Sequence, residues 1–421
     1  MVAEHWDKEM LMGKSGLNAG KGGADAAKED PMLWGRPGHL TEEQADVYSK
    51  FKNEIDKRND TDFTATIYHF GEEEGEVWCL CRWLRARKYV YDDVITMVQE
   101  ATECRATPKA DDFYEEPSKA LGCDMALYMA QFPQVYSGYD KRGIPLFFSK
   151  PGVLNIDAVD SITTLDGILK FHWFFMMHDF GGRLRAQKVH REGFARFEAV
   201  CILDLANLSI SQLGSRTLAI IKEQAFIDSL CFPETMAKMV IINAPTFFAA
   251  TWSIIKGYID ARTSSKVDVY SSRSKWEKKL KELAEEDQIP SDYGGTGPST
   301  IDTMNEASPG DMKRLFTHPF YVRSSGTHKV DIAEGEEVSI SVWTRSKAGG
   351  KFSIFDNDTK ASIDVDVEAK HTGGELPTDK PTETVITTNG KIKGPIKLKI
   401  SCNSNGGRFT TERFLLAFNI Y

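Results

Sequence analysis

The sequence predicts three folded parts: a small all-α domain, a central α/β domain built on a mainly parallel sheet with crossover helices, and an all-β sandwich. Three observations support this fold class. Helical patterns occupy residues 39–117, short apolar runs alternate with helical stretches over 118–297, and alternating apolar and polar residues without a helical pattern fill 312–421. A length of 421 residues is sufficient for two or three domains.

The N-terminal part begins with a polar, glycine-rich stretch. We expect residues 1–38 to form a disordered tail. Thr41 and Gln44 then have the spacing of a capping box, which predicts a helix from about residue 41. Further helices are expected over 76–86, where arginine and lysine cluster at the end, and over 92–105. Together they form the predicted helical domain 39–117.

The central part contains four short apolar runs that are typical of buried strands, at 145–148, 197–205, 239–243 and 267–270. Helical stretches at about 158–179, 211–229 and 246–260 separate them. Alternating strands and helices predict a mainly parallel sheet with right-handed crossovers. Proline and glycine residues in 290–298 mark the end of this domain, and a linker is expected over 298–311.

The last part shows alternation with a period of two. The runs 338–343, 352–355, 363–367 and 396–400 have this pattern, and turn residues separate them. A β-sandwich over 312–421 is therefore expected.

Composition excludes several classes of protein. A net charge of −9 argues against broad binding to nucleic acid, which requires a positive field. No stretch approaches the 18 or more apolar residues of a membrane-spanning helix. The seven cysteines follow no framework spacing, so we expect reduced thiols, a cytoplasmic location and no metal site.

Enzyme signatures are weak. Cys79 with Arg85, and Cys81 with Arg87, have the Cys-x5-Arg spacing of tyrosine-type phosphatases. That chemistry requires a glycine-rich loop around the phosphate, whereas the intervening residues favour helix. We therefore predict that the protein is not an enzyme, with a phosphatase as an alternative.

Two helical stretches are unusually apolar. Residues 168–180 and 246–259 are hydrophobic on nearly all sides, which fits either a protein core or the wall of an apolar cavity.

Five segments, in order along the chain, resemble the CRAL-TRIO family of lipid-binding and transfer proteins, in particular its phosphatidylinositol-transfer type. They are LCRWLRARKY (80–89), DKRGIP (140–145), ILDL (202–205), IINAP (241–245) and IPSDYGG (289–295). The C-terminal part is similar to a GOLD β-sandwich. CRAL-TRIO followed by GOLD is the architecture of the supernatant protein factor group and of the plant patellins.

The resemblance implies an internal apolar pocket for one lipid, with the bound lipid as ligand and no other cofactor. By position, it implies headgroup contacts from Arg87, Lys88, Tyr136, Glu223, Thr263 and Lys266. It implies pocket and gate residues Phe147, Phe171, Phe174, Phe175, Phe247, Phe248, Trp252 and Ile255. Phe147 stands where the family uses a tyrosine for phosphatidylcholine, so weak binding of that lipid is expected.

The function implied is that of a non-catalytic carrier, which exchanges one phosphatidylinositol-type lipid at membranes and contacts them only transiently and peripherally. Two other functions remain open. One is a carrier or sensor of an isoprenoid-like lipid such as tocopherol, a retinoid or squalene. The other is an adaptor in membrane traffic that binds a protein partner through the GOLD domain. Nucleic acid is not expected as a partner.

Overall fold

The computed structural model describes residues 6–14, 31–259, 261–306, 312–373, 379–387, 390–407 and 409–421. The N-terminal part contains α1 (Lys8–Leu11), α2 (Glu42–Lys57), α3 (Thr61–Ile67), α4 (Glu76–Ala86) and α5 (Tyr91–Ala110). The predicted capping box is present at the start of α2. The Gln44 N–H donates to the Thr41 hydroxyl at 3.2 Å, and the Thr41 N–H donates to the Gln44 side chain at 3.0 Å.

The expectation of a disordered tail over 1–38 is wrong for the part that the structure describes. Leu11 is 1% exposed and Trp6 packs against the main core. Arg36 forms a buried ion pair of 2.5 Å with Glu198 of the central domain. The prediction failed because it rested on the average composition of this stretch, which is polar, and the average does not reveal a few side chains that pack against the rest of the protein. Residues 1–5 and 15–30 lie outside the described residues.

The central domain is built on a five-stranded sheet. Its strands are β1 (Gln134–Tyr139), β2 (Pro145–Ser149), β3 (Ala199–Asp204), β4 (Met236–Ile242) and β5 (Val267–Val269). They follow one another in chain order across the sheet. β1 pairs antiparallel with β2, and the other neighbours are parallel. The four predicted strands and the mainly parallel sheet are confirmed; β1 was not predicted.

Helices cover this sheet. They are α6 (Pro117–Leu121), α7 (Met125–Gln131), α8 (Ile156–Ile162), α9 (Leu165–Phe174), α10 (Gly181–His190), α11 (Ser215–Cys231), α12 (Phe248–Ile255), α13 (Ala261–Ser265) and α14 (Arg273–Leu283). A π-helical turn, Phe175–Phe180, joins α9 to α10. The helix expected over 158–179 is interrupted because the Thr164 hydroxyl caps the new helix α9, accepting from the Gly167 N–H at 2.9 Å.

The predicted linker 298–311 is partly helical. α15 (Thr300–Glu306) begins where the Thr300 side chain donates to Asp292 at 2.5 Å, and Thr300 is fully buried. This hydrogen bond attaches the segment to the end of the central domain, so it is not a free spacer. Residues 307–311 lie outside the described residues.

The C-terminal part is a sandwich of two antiparallel sheets, as predicted. Its strands are β6 (Arg314–Val322), β7 (Ser325–Ile332), β8 (Glu337–Thr344), β9 (Gly350–Asp356), β10 (Val367–Ala369), β11 (Thr382–Val385), β12 (Ile392–Lys393), β13 (Ile396–Ser404) and β14 (Glu412–Ile420). One sheet has the order β10-β9-β13-β7. The other has the order β11-β8-β14-β6, with β12 also paired to β8. The strand expected over 363–367 starts only at Val367, because Asp364 and Asp366 disfavour extended pairing.

The sandwich packs directly on the central domain. Trp343 and Leu415 share a buried apolar cluster with Leu127 and Tyr128. The Arg345 guanidinium donates to the Thr163 carbonyl at 2.6 Å. A shared apolar core of this kind holds the two parts as one body.

Two further observations bear on function. None of the helices in the described part of the chain has both the length and the apolar composition that crossing a bilayer requires. All seven cysteines are free thiols.

Candidate functional site

The two faces of the central sheet differ in burial. One face carries six fully buried side chains: Leu146, Phe148, Val200, Ile202, Val240 and Ile242. The opposite face is mixed: Ala237 and Ile241 are buried, whereas Phe147, Cys201, Met239 and Val267 are each only partly buried. They are paired in register from β2 to β5, so the four side chains form one continuous row, which we call the accessible row.

The accessible row is apolar and uncharged. It crosses four strands and therefore spans about 14 Å, at roughly 4.8 Å per strand. Burial raises the pKa of the Cys201 thiol to about 12, so the thiol stays protonated at neutral pH. An apolar row that keeps accessible surface in the middle of a domain is suited to contact with an apolar ligand.

Aromatic residues close the β1–β2 end of this row. The Phe147 ring lies 5.1 Å from both Tyr136 and Phe175, measured between ring centroids. Phe171 stacks on Phe174 at 5.8 Å and lies 6.5 Å from Phe175. The structure thus brings together the predicted pocket residues Phe147, Phe171, Phe174 and Phe175.

Helix α12 covers the β4–β5 end. Phe248 is buried and stacks on Trp252 at 6.3 Å, and both belong to an apolar cluster that includes Met239 and Val267 of the accessible row. Phe247 packs against the same cluster. Ile255 is partly buried and does not belong to this cluster. Three of the four predicted gate residues therefore lie against the accessible row.

A charged cluster adjoins the start of β5. The Lys266 ammonium donates to Glu234 at 3.3 Å and to the Met236 carbonyl at 2.9 Å. Glu234 also pairs with Arg85 at 3.1 Å and with Arg262. We call Glu234, Arg85, Arg262 and Lys266 the basic cluster, because three cations surround one carboxylate.

The charges in this cluster depend on one another. Burial alone would raise the pKa of the Glu234 carboxyl, but Lys266 and Arg85 outweigh it and lower this pKa to about 2. Burial lowers the pKa of Lys266, and Glu234 partly restores it. The carboxylate therefore stabilises cations that the apolar interior would otherwise disfavour.

Replacing Glu234 with glutamine should lower the free energy of unfolding at pH 7 by about 3 kcal/mol, the equivalent of the lowered pKa. A carboxyl with a lowered folded-state pKa contributes its full stabilisation above its usual pKa of 4.5 and loses it as pH falls toward 2. The difference in unfolding free energy between the unmodified protein and the glutamine variant should therefore be smaller at pH 3.5 than at pH 7. Calorimetric melting at both pH values measures this difference. An equal difference at the two pH values would contradict the ion pairing of Glu234 in the basic cluster.

Four of the six predicted headgroup residues lie close together. The Arg262 guanidinium donates to the Arg85 carbonyl, which packs α13 against the end of α4. Arg87 and Lys88 follow Arg85 by two and three residues, and Thr263 and Lys266 follow Arg262 by one and four residues. Lys88 is exposed and Arg87 partly buried, and neither forms an ion pair within the described part of the chain.

The other two lie apart from this group. Tyr136 is on β1, four strand spacings from β5, which is roughly 19 Å. Burial raises the pKa of its phenol well above the usual value. Glu223 is partly buried on α11, and its carboxylate forms no hydrogen bond with any residue that the structure describes.

The structure does not support the phosphatase alternative. Cys79 and Cys81 are buried within α4, and burial raises the pKa of Cys79 well above its usual value and that of Cys81 to about 12. A nucleophilic cysteine requires the opposite shift and an accessible thiolate.

The comparisons with known proteins agree with this geometry. The family model of the CRAL/TRIO domain matches residues 130–295, which include β1 to β5 and the accessible row. The chain is 29% identical over 272 residues to a CRAL-TRIO domain-containing protein of Saccharomyces cerevisiae; the match covers 63% of this chain and 81% of the yeast protein. The C-terminal sandwich lies outside the family match, so its assignment as a GOLD domain stays a prediction.

Two further relatives carry more specific names. A phosphatidylinositol/phosphatidylcholine transfer protein of Arabidopsis thaliana is 25% identical over 314 residues, which cover 73% of this chain and 55% of the plant protein. A SEC14 cytosolic factor of Eremothecium gossypii is 27% identical over 264 residues, which cover 62% of this chain and 80% of the fungal protein. The chain thus spans about half of the plant relative. A crystal structure of Sfh5 superposes with a TM-score of 0.42 at 14% identity, covering 62% of this chain and 91% of that one.

Proposed function

We propose that this chain, whose residues 130–295 match the family model of the CRAL/TRIO domain, carries one phosphatidylinositol-type lipid and exchanges it at membranes. The observation that supports the proposal best is the accessible row: four side chains without charge in register across the sheet, none of them fully covered. The row gives the acyl chains a floor, and α12 gives them a lid.

The energetics suit exchange and not release. Burying two long acyl chains contributes about 25 kcal/mol at roughly 0.8 kcal/mol per methylene. A bilayer offers nearly the same, so transfer between protein and membrane is close to neutral, whereas release into water is strongly unfavourable. The wall of the pocket must therefore open only at the membrane surface. No bond is made or broken in this cycle, so the proposal includes no catalytic residue.

The headgroup phosphate would bind beside the basic cluster. Arg87 and Lys88 provide positive charge that no described carboxylate neutralises, and the Thr263 hydroxyl lies in the neighbouring helix. Phosphate oxygens form their strongest hydrogen bonds with such cations. Lys266 would act through its charge, because its ammonium already binds Glu234. Glu223 would accept hydrogen bonds from inositol hydroxyls.

The same proposal places the protein in the cytoplasm, with transient peripheral contact with membranes. The GOLD-like sandwich would be the surface for a protein partner. Lipid extracted from the native protein and identified by mass spectrometry tests the central point. We expect one phosphatidylinositol per chain. An isoprenoid in its place, or no lipid at all, would contradict the proposal and support one of the two other functions.

Phosphatidylcholine should compete poorly with phosphatidylinositol, and the substitution Phe147→Tyr should raise its uptake about tenfold. Phe147 lies in the accessible row but has no hydroxyl, and a buried polar group left without a partner costs roughly 1–3 kcal/mol. Competition between the two lipids in a transfer assay measures the effect. Phe226→Tyr adds the same hydroxyl at an exposed position and should change nothing. Equal uptake of both lipids by the unmodified protein would count against this prediction.

A further inference from the structure

Two cysteines from different domains lie in contact with each other, and neither belongs to the accessible row or the basic cluster. Cys104 is on α5 of the helical domain, and Cys231 is the last residue of α11 in the central domain. α5 packs against α11, and the Cys231 thiol donates a hydrogen bond to the Cys104 sulfur. The two residues are far apart along the chain, so the packing of one domain on the other is what brings their sulfurs together.

The residues next to the two cysteines also contact each other. Arg105 follows Cys104 and Phe232 follows Cys231, and the Arg105 guanidinium lies 5.6 Å from the ring centroid of Phe232. Cys231 and Phe232 belong to the main apolar core, and Cys104 packs against the same core. Dense packing on both sides leaves the two thiols little freedom to move apart.

The two thiols differ in accessibility. Cys104 is partly exposed, whereas Cys231 is fully buried. A small oxidant in solution therefore meets Cys104 first, and Cys231 can react only with a group that Cys104 already carries. This is the arrangement of an attacking cysteine with a resolving cysteine beside it.

The electrostatic surroundings favour a thiolate at Cys104. The hydrogen bond from Cys231, together with the positive charge of Arg105, lowers the pKa of Cys104 to about 7 in spite of its partial burial. The same hydrogen bond, burial and the negative charge of Asp228 raise the pKa of Cys231 well above its usual value, so Cys231 keeps its proton. Cys104 is therefore about half ionised at neutral pH, and the thiolate is the form of cysteine that attacks an oxidant.

The other cysteines differ from Cys104 in this respect. All seven lie in the part of the chain that the structure describes, and Cys104 is the one whose pKa is lowered. Burial raises the pKa of the five cysteines outside the pair, which are Cys79, Cys81, Cys123, Cys201 and Cys402. Buried thiols with a raised pKa are inert toward oxidants, so oxidation should begin selectively at Cys104.

We propose that Cys104 and Cys231 form a reversible oxidation site, at which a peroxide converts the two thiols into a disulfide between the helical domain and the central domain. The Cys104 thiolate attacks one oxygen of hydrogen peroxide and the O–O bond breaks, which gives a sulfenic acid and a hydroxide that takes up a proton to form water. The Cys231 sulfur then attacks the Cys104 sulfur, the S–O bond breaks, and the thiol proton leaves with the hydroxyl group as a second water. Two thiols are thus oxidised to one disulfide, and one peroxide is reduced to two waters. Exchange with a small thiol reverses the reaction.

Mass spectrometry of the full chain, first reduced and then freed of reductant, tests the site in two steps. With limiting iodoacetamide at pH 7, Cys104 should be alkylated at least about tenfold faster than each of the other six cysteines, because the thiolate reacts and a buried thiol does not. With an equimolar amount of hydrogen peroxide, followed by a maleimide that blocks the remaining thiols, digestion without reductant should give one cross-linked pair of peptides. This pair should join Cys104 to Cys231 and disappear on treatment with dithiothreitol.

Two variants separate the roles of the cysteines. Cys104→Ser should abolish the cross-link, and since Cys104 is partly exposed this variant should fold even if a change at the buried Cys231 does not. Cys231→Ala should leave the sulfenic acid at Cys104 without a thiol partner, so that dimedone labels it. Cys402→Ser is the matched control, because Cys402 lies on β13 of the sandwich and its loss should leave the cross-link unchanged.

Three results would overturn the proposal. The first is alkylation of Cys104 no faster than that of the other cysteines. The second is oxidation of Cys104 in the unmodified protein to a sulfinic acid without a cross-link to Cys231. The third is a disulfide that joins Cys104 of two different chains. None of these measurements involves a lipid, so the result is independent of the proposed carrier function.

Discussion

Replacing Arg87 and Lys88 together with alanine should lower the rate of phosphatidylinositol transfer between vesicles about 100-fold or more. Two charge-assisted hydrogen bonds to a phosphate contribute roughly 3–6 kcal/mol in total. Neither side chain forms an ion pair with a described residue, and Lys88 is exposed, so the free energy of unfolding should not change. A fluorescence transfer assay together with thermal melting separates the two effects.

The control for this prediction is a second double variant, Lys57→Ala with Lys278→Ala. Both lysines are exposed and lie outside the basic cluster, so this variant loses the same charge without loss of headgroup contacts. Equal losses in both double variants would indicate a general electrostatic effect on vesicle approach, which salt screens. If the variant without Arg87 and Lys88 transfers phosphatidylinositol as fast as the unmodified protein, these two residues do not bind the headgroup.

The strands β2 to β5 of the central domain were predictable because each is a short apolar run bounded by turn residues. β1 was missed for the opposite reason. β1 contains Gln134, Ser137 and Gly138, and as an edge strand it pairs only with β2. Its sequence therefore lacks the apolar run that is typical of a buried strand. Three of the four residues of the accessible row, Cys201, Met239 and Val267, were missed as well. Phe147 was expected from the resemblance, whereas Cys201 and Met239 become neighbours only through the register of the sheet.

The basic cluster shows a second limit of sequence reasoning. Lys266 was expected at the site, but its partner Glu234 was not. Glu234 lies 149 residues from Arg85, 28 from Arg262 and 32 from Lys266 along the chain. A buried charge must be paired, yet nothing local in the sequence indicates which distant residue supplies the partner. The family resemblance identified individual positions, and only the folded chain joins them into a network.

Helix α12 has the properties that a gate at a membrane surface requires. Within Phe248–Ile255 only Phe248 is fully buried; it stacks on Trp252 and shares an apolar cluster with Met239 and Val267 of the accessible row. Ile254 is 51% exposed, so an apolar side chain on the outer face of the helix is available to a bilayer. Few buried contacts mean that local opening of this helix should require less free energy than opening of the strands.

Ile254→Asp should therefore reduce lipid transfer about 100-fold while leaving the fold and the bound lipid in place. The substitution removes an apolar contact with the bilayer and adds a charge there, which together disfavour docking by roughly 3 kcal/mol. Phe248→Asp would not test the same point, because a charge at that buried position disturbs the pocket itself. Ile301→Asp is the matched control, since Ile301 is 59% exposed on α15, outside the gate.

Hydrogen exchange should show faster exchange in α12 than in β3 and β4, and faster still with vesicles present. Protection of α12 equal to that of these strands under both conditions, or normal transfer by Ile254→Asp, would rule out this helix as the gate.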